Sequence, residues 1–356
     1  MRKRLNKSKR ESCRTNEVSK LLTVSKKGIY CAAGDFYIDP WGKVDRAIIT
    51  HAHSDHARSG MKHYLCSIDG EEVLKLRIGF KSSVQALDYG EAISMNGVRV
   101  SLHPAGHILG SSQVRIELDG RVEVVSGDYK TAPDPTCKSF EPIKCHLFVT
   151  ESTFGLPIYQ WPTEQSVFQD VNHWWSRNRE LGRTTVVSGY SLGKAQRILA
   201  GLSPSIGPII LDNLLIPNTE AYRNAGVKFP EYLTVQEASY GVNWGHSIVV
   251  CGSSLSGLNW QDKLVEPSSA FFSGWMATRK RRKASRDKGF VLSDHVDWPS
   301  LLSAVKATGA QEVWVTHGFT KPVATYLSEL GLDAKEMPTP WASEDQPLER
   351  SAEREN

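Results

Sequence analysis

Short runs of hydrophobic and polar residues alternate through the first half of the chain, and then the period lengthens. From residue 28 onward, "DFYID" alternates like a half-buried strand and "RAIIT" forms the continuous apolar run of a buried one. "GVRVSLHPAG" and "SSQVRIELDGRVEVVSGD" read as strand pairs, the second folding back at Asp119 and Gly120. After about residue 160, helical stretches ("TEQSVFQDVNHWWSRNRELG", "SLGKAQRILAGL") alternate with short strands ("TTVVSG", "GPIILD", "SIVVCG", "SAFFSG"). That alternation predicts parallel βαβ units. The last third returns to "GFVLSDHVD", a helix over 299–308 and a strand in "EVWVTHGF". There is no internal repeat or low-complexity linker, and the polar stretch from Pro338 is expected to fray.

Five apolar runs lead straight into residues able to do chemistry: "AIIT" into His51, "VEVVSG" into Asp128, "LFVT" into Glu151, "FVLSD" into His295 and "VWVT" into His317. In layered α/β folds, sites collect where strands end, because the sheet holds the following loops rigidly. A histidine scattered on a surface has no reason to follow a buried strand. The five junctions are therefore read as parts of one site.

Composition narrows the class. The 356 residues, 40% hydrophobic and 23% charged, are globular in balance and suffice for one large domain or two ordinary ones. No run of about 18 apolar residues occurs, so no membrane span is expected. "LLTV" is too short for the apolar core of a secretion signal. Six cysteines (13, 31, 66, 137, 145, 251) lie scattered without a CxxC pair, which fits a reducing cytoplasm and argues against a thiolate zinc site. The net charge of +4 is modest, but residues 1–27 carry most of the excess. They are expected to be a disordered tail or the product of an early start codon, with a nucleic-acid-binding arm as the alternative.

The stretch "HAHSDH" puts His51, His53, Asp55 and His56 within six positions, directly after a buried strand. His51 and His53 can project to one side of an extended segment, while Asp55 and His56 turn towards a second centre. Neutral imidazole and carboxylate are the donors zinc accepts where thiolate is absent. A lone histidine is more often structural, but four donors in six positions point to metal. His103, four residues before His107, copies the spacing of a helical zinc pair, yet Pro104 and Gly106 disfavour a helix there. His63, His146, His173 and His246 have no comparable context and are read as ordinary residues.

With these residues in view, "THAHSDH" resembles the signature of the metallo-β-lactamase superfamily. Asp39 in "YIDPWGKVD" is similar to the aspartate that supports the metal site from outside. His107 in "HPAGHILGSSQV" is similar to the third-motif histidine, and Asp128 in "SGDYK" to the aspartate that bridges two metals. "TESTFG" with Glu151, "SDHVDW" with His295 and "VTHGF" with His317 resemble the three motifs of the β-CASP nucleases, which cut phosphodiesters. "GIYCAAGDFYIDPWGKVDRAIITHAHSDHA", "VSGDYKTAPDPTC", "GYSLGKAQR", "FFSGWM" and "KGFVLSDHVDW" resemble the bacterial DNA ligase-associated exonuclease group. The likeness runs over residues 28–334 and leaves out the basic extension.

The resemblance implies an α/β fold: a four-layer αββα core over 28–160 and 285–337, with a parallel α/β β-CASP domain inserted at 161–284. Residues 1–27 and 338–356 flank it. It implies two Zn2+, with Mn2+ as an alternative: one held by His51, His53, His107 and Asp128, the other by Asp55, His56, Asp128 and His317. Zinc lowers the pKa of bound water to near neutrality, and two metals neutralise charge building on phosphorus. His295, outside the metal set, is the candidate general acid for the leaving 3′-oxygen. Glu151 would orient it and keep it protonated, since a neighbouring carboxylate raises a histidine's pKa.

Substrate contacts are read from the remaining motifs. Gly189, Ser191 and Gly193 make a turn before Lys194 that offers backbone N–H groups to phosphate, or is plain strand-to-helix turn chemistry. Lys130 sits next to the bridging Asp128. Arg279, Lys280, Arg281, Arg282 and Lys283 form a basic row for a polyanion backbone. Trp275 stacks a base or fills core, and core is preferred. The function expected is a cytoplasmic dizinc DNA exonuclease in repair, associated with an ATP-dependent DNA ligase and a helicase. An RNA-processing nuclease is the alternative, because the third motif is histidine in RNA-cutting members and commonly valine in eukaryotic DNA-cutting ones. A small-ester or lactam hydrolase is disfavoured by the large insertion, and a non-catalytic scaffold by the intact donors.

Overall fold

The alternating runs become three sheets. The structure, a computed structural model, describes residues 20–253, 259–278 and 287–339. The first sheet has six strands in chain order: Leu22–Ser25, Gly28–Cys31, Phe36–Ile38, Arg46–Ile48, His63–Ser67 and Val84–Leu87. It begins antiparallel and becomes parallel from Phe36–Ile38 onward. The second has seven, in the order Asp333–Glu336, Glu312–Gly318, Leu147–Ser152, Arg121–Val125, Ser112–Leu118, Val98–Pro104, Ala92–Met95. The hairpin expected at Asp119 and Gly120 is present. Both residues have positive φ (49° and 81°), the twist a two-residue turn needs to match its strands.

The inner faces of these two sheets share one core, with Ile29, Phe36, Ile38, Ile48 and Leu65 from the first against Val100, Leu102, Val114, Ile116 and Val149 from the second. Helices Trp298–Thr308 and Thr320–Glu329 cover the outer face of the second sheet through Leu301, Val305, Val323 and Leu327. Helix Glu71–Ile78 covers the outer face of the first through Val73, Leu74 and Ile78. The layers thus run helix, sheet, sheet, helix, the arrangement that lets each element bury its apolar face. Strands 98–104, 121–125, 147–152 and 312–318 all point the same way, so their carboxyl ends share one edge.

The third sheet is wholly parallel, in the order Leu233–Thr234, Ile209–Leu211, Ile248–Cys251, Thr185–Ser188, Ser268–Phe272, Lys288–Phe290. Helices Glu164–Glu180 and Lys194–Ala200 cover one face with Val171, Trp175, Ile198 and Leu199. Val186, Ile210, Val249, Trp244 and Trp260 pack on the other. All of it falls between two neighbouring strands of the second sheet, Leu147–Ser152 and Glu312–Gly318. Two details differ from expectation. The third sheet runs past position 284, because Lys288–Phe290 pairs with Ser268–Phe272. The apolar run of "GFVLSDHVD" also stops being strand at Phe290, so His295 lies in a loop. The carbonyls of Leu292 and Ser293 are taken by the side chains of Lys194 and Arg197 instead of by a neighbouring strand.

Candidate metal centre and active site

The strand Arg46–Ile48 feeds a loop that turns tightly, His56 and Ala57 both donating their N–H to the His53 carbonyl (3.1 and 2.7 Å). That turn gathers four donors at the shared strand edge, where His107, Asp128 and His317 arrive from the second sheet. His51, His53, His107 and Asp128 form one group of possible metal donors and Asp55, His56 and His317 another. His53 Nδ1 is 3.1 Å from His51 Nε2 and 3.0 Å from His107 Nε2. Asp128 Oδ2 adjoins both groups, 3.6 Å from His51 Nε2 and 3.5 Å from His56 Nε2. The His56 and His317 rings stack at 5.2 Å.

Each imidazole is tethered by one nitrogen and leaves the other facing the centre. His53 Nε2 donates to the Leu192 carbonyl (3.2 Å), His107 Nδ1 to the Asp294 carbonyl (2.8 Å) and His56 Nδ1 to Asp39 Oδ2 (2.7 Å). His51 Nδ1 and His317 Nδ1 lie 3.1 Å from the hydroxyls of Thr50 and Thr316. Asp39 is itself fixed by the N–H and hydroxyl of Thr50 (2.8 and 2.6 Å). His56 Nε2 is buried with no hydrogen-bond partner, and the nitrogens of His51, His53 and His107 turn lone pairs on one another. A cation placed among these nitrogens would relieve that arrangement. The imidazole nitrogens, each oriented from outside, and the carboxylates of Asp55 and Asp128 fit a divalent metal.

The electrostatics agree with neutral ligands. Burial first, then neighbouring histidines, holds His51 and His107 well below the usual histidine range. Burial also lowers His53 and His317. His56 is the exception: burial opposes its charge, but Asp128, Asp55 and Asp39 together raise it. Asp128 is held well below the carboxylate range by His56 and His295 despite the burial that works against it.

Beside the donors lies a second kind of pair. His295 Nδ1 donates to Glu151 Oε1 (2.9 Å), and Glu151 also accepts the N–H groups of Tyr129 (3.1 Å) and Thr153 (3.2 Å). Glu151 is fully buried and its oxygens are engaged, so it suits an orienting role better than metal ligation. Burial pushes His295 down, but Glu151 and Asp128 outweigh it and raise the imidazole to about 9. Trp161 Nε1 donates to the His295 carbonyl (2.9 Å).

A cavity of about 230 Å³ opens on this centre, lined by His53, Asp128, Phe154, Tyr190, Trp275 and His295. Trp275 is therefore a half-buried cavity wall packed on Phe154 (4.7 Å) rather than part of a hydrophobic core. Ser191 lines a neighbouring cavity of about 320 Å³ that His53 also borders. Lys130 does not line the cavity on the centre. It is buried and paired with Asp134 (2.6 Å). Lys194 touches the cavity wall but is buried against Asp294 (2.7 Å). In the turn before it the Gly193 N–H donates to Gln196 (2.8 Å), and just after it the Ala195 N–H donates to the Tyr190 carbonyl (3.0 Å). Arg279, Lys280, Arg281 and Arg282 lie outside the described residues. Asp294 and Arg197 were missed by motif reading. The only signal was the acid directly before His295 in "SDH".

No family model matches the chain. It is 30% identical over 326 residues to a protein of Opitutus terrae named a probable DNA ligase, covering 90% of this chain and 31% of that one. It is 29% identical over 248 residues to the transcription termination factor FttA of Thermococcus kodakarensis, covering 56% and 36%. It is 22% identical over 312 residues to the endoribonuclease YSH1 of Candida glabrata, covering 69% and 39%. The chain thus spans only about a third of the length of these curated relatives. A crystal structure of a protein of unknown function from Enterococcus faecalis V583 shares the fold, with a TM-score of 0.57 at 13% identity over 83% of this chain and 79% of that one. The layered sheets are those of a metallo-β-lactamase fold. The chain belongs to the β-CASP group of the metallo-β-lactamase superfamily.

Proposed function

We propose that the chain is a metal-dependent nuclease that hydrolyses DNA phosphodiesters from an end, working beside a DNA ligase in repair. The observation that carries this is the pairing of a seven-donor centre with a buried Glu151–His295 couple on one cleft wall. His51, His53, His107 and Asp128 would hold one ion, and Asp55, His56, Asp128 and His317 a second, with Zn2+ the expected metal and Mn2+ accepted by the same donors. When bound, such ions supply Lewis acidity and activate water for in-line attack at phosphorus. Glu151 holds His295 Nδ1–H, so the proton given to the leaving oxygen comes from Nε2. Phe154, Tyr190 and Trp275 border the cleft and exclude water beside the reacting phosphate.

We take the insertion to be the β-CASP domain, opening after Trp161 and closing at the end of the third sheet. The DNA reading is supported by the Opitutus relative, in which a segment similar to nearly all of this chain is part of a protein named a DNA ligase. An ATP-dependent ligase and a helicase are the partners this reading implies. Among the described residues no helix is long and apolar enough to cross a membrane, and a cytoplasmic site of action belongs to the same proposal. The second reading, RNA cleavage, is favoured by His317 standing in the donor set and by the relative named an endoribonuclease.

One experiment separates them. End-labelled single-stranded and duplex DNA and matched RNA are incubated with the full chain, with Zn2+ or Mn2+ and with chelator. Stepwise shortening of DNA that stops on chelation is expected. Cleavage confined to RNA would replace the first reading with the second, and no cleavage of either would remove both.

A further inference from the structure

Five charged side chains are buried beside the first donor group: Lys130, Asp134, Lys194, Arg197 and Asp294, with half-buried Glu164 completing three cations and three anions. Arg197 is the hub. Its Nη1 donates to the Ser293 carbonyl (2.6 Å) and Asp294 Oδ1 (2.9 Å), and its Nε meets Glu164 (2.8 Å) and Asp134 (3.2 Å). Lys194 Nζ meets Asp294 Oδ2 (2.7 Å) and donates to the Leu292 carbonyl (2.8 Å). Lys130 closes the set on Asp134.

Such a cluster is a poor way to gain stability, since desolvating ions costs about as much as their attraction returns. Burial lowers Lys194 to about 8 in spite of Asp294. What the cluster holds is more telling. Lys194 and Arg197 grip three successive residues, 292–294, from a helix of the inserted region. The Asp294 carbonyl accepts His107 Nδ1–H, and the next residue is His295. Two positions before Lys194, the Leu192 carbonyl accepts His53 Nε2–H. Two of the three histidines in the first group therefore lean on the insertion or on the segment it grips. The second group does not, because His56 leans on Asp39 and His317 on Thr316, both within the two-sheet core.

We propose that Lys194 and Arg197 are positioning residues through which the inserted region sets the first donor group and His295, while the core alone sets the second. This rests on the reading of both groups as metal donors. It makes the two groups separable: loosening the grip weakens one metal and spares the other.

The test titrates metal-free full-length wild type, Lys194→Met and Lys194→Arg with Co2+ alone, read by visible absorption and equilibrium dialysis. Steady-state cleavage of an end-labelled oligonucleotide and thermal melting are followed in parallel. Wild type should bind two equivalents. In Lys194→Met one should weaken by about 10–100-fold, as expected for loss of an outer support, with the other within about twofold of wild type. Turnover should fall while KM holds, and Lys194→Arg should recover part of both. A folded Lys194→Met with the wild-type Co2+ profile overturns the proposal, as does a raised KM at unchanged kcat, which would make Lys194 a substrate contact. If Lys194→Met does not fold, Asp294→Asn removes the same ion pair while keeping the backbone carbonyl, and a wild-type Co2+ profile there is equally fatal. Wild type that binds no Co2+ would instead overturn the metal reading itself.

Discussion

Asp128 lies within 3.9 Å of ring nitrogens of His51, His56, His107 and His295, so one carboxylate answers to both donor groups and to the proposed acid. Asp128→Ala should lose both metals and more than about 100-fold of cleavage, checked by metal analysis against wild type at two ions per chain. His295→Gln should keep both metals and lower kcat by about 10²–10⁴-fold, the usual contribution of a general acid. Burial works against the charge of His295, but the pair with Glu151 holds it above the ordinary histidine range, so its acid form persists at neutral pH and is lost at alkaline pH. The wild-type rate should fall there, and the His295→Gln profile should lack that limb. At this scale the donors were legible because residue type and chain order carry the chemistry. Asp294 and Arg197 were not, because each acquires meaning from a partner almost a hundred positions away.

At the scale of elements, His317 is delivered by an irregularity. Glu151 pairs with Thr316 and Ser152 with Gly318, so His317 is an extra residue bulged out of the ladder, with φ of 52°. Gly318 follows at φ of 73°, where an added Cβ would meet Thr153 Cα at 2.4 Å. Gly318→Ala should cost about 1–3 kcal/mol of stability and weaken metal binding at the second group, read by melting and by Co2+ titration. An unchanged melt would mean the bulge relaxes freely. The strands themselves were legible from alternation and apolar runs, but the bulge was not. "VTHGF" reads like any strand end until its neighbour is known, and only the glycine hints at the turn.

The whole molecule was legible as two kinds of pattern, strand pairs and then βαβ alternation, and these became the two-sheet core and the third sheet. Where one hands over to the other was less so. Lys288–Phe290 belongs to the third sheet although the residues that follow it build the centre, because a short apolar run does not declare which sheet it will join. The cluster around Arg197 sits at that handover, and all of its members but Glu164 are buried. Mobile ions screen charges that face solvent, with a Debye length of about 8 Å at physiological ionic strength, and reach buried pairs far less. Salt therefore separates two uses of positive charge in one assay. As ionic strength rises, KM for a polyanionic strand should climb steeply through loss of counterion release, while kcat should stay nearly flat. The basic side chains that this fold hides from water are the ones that salt leaves working.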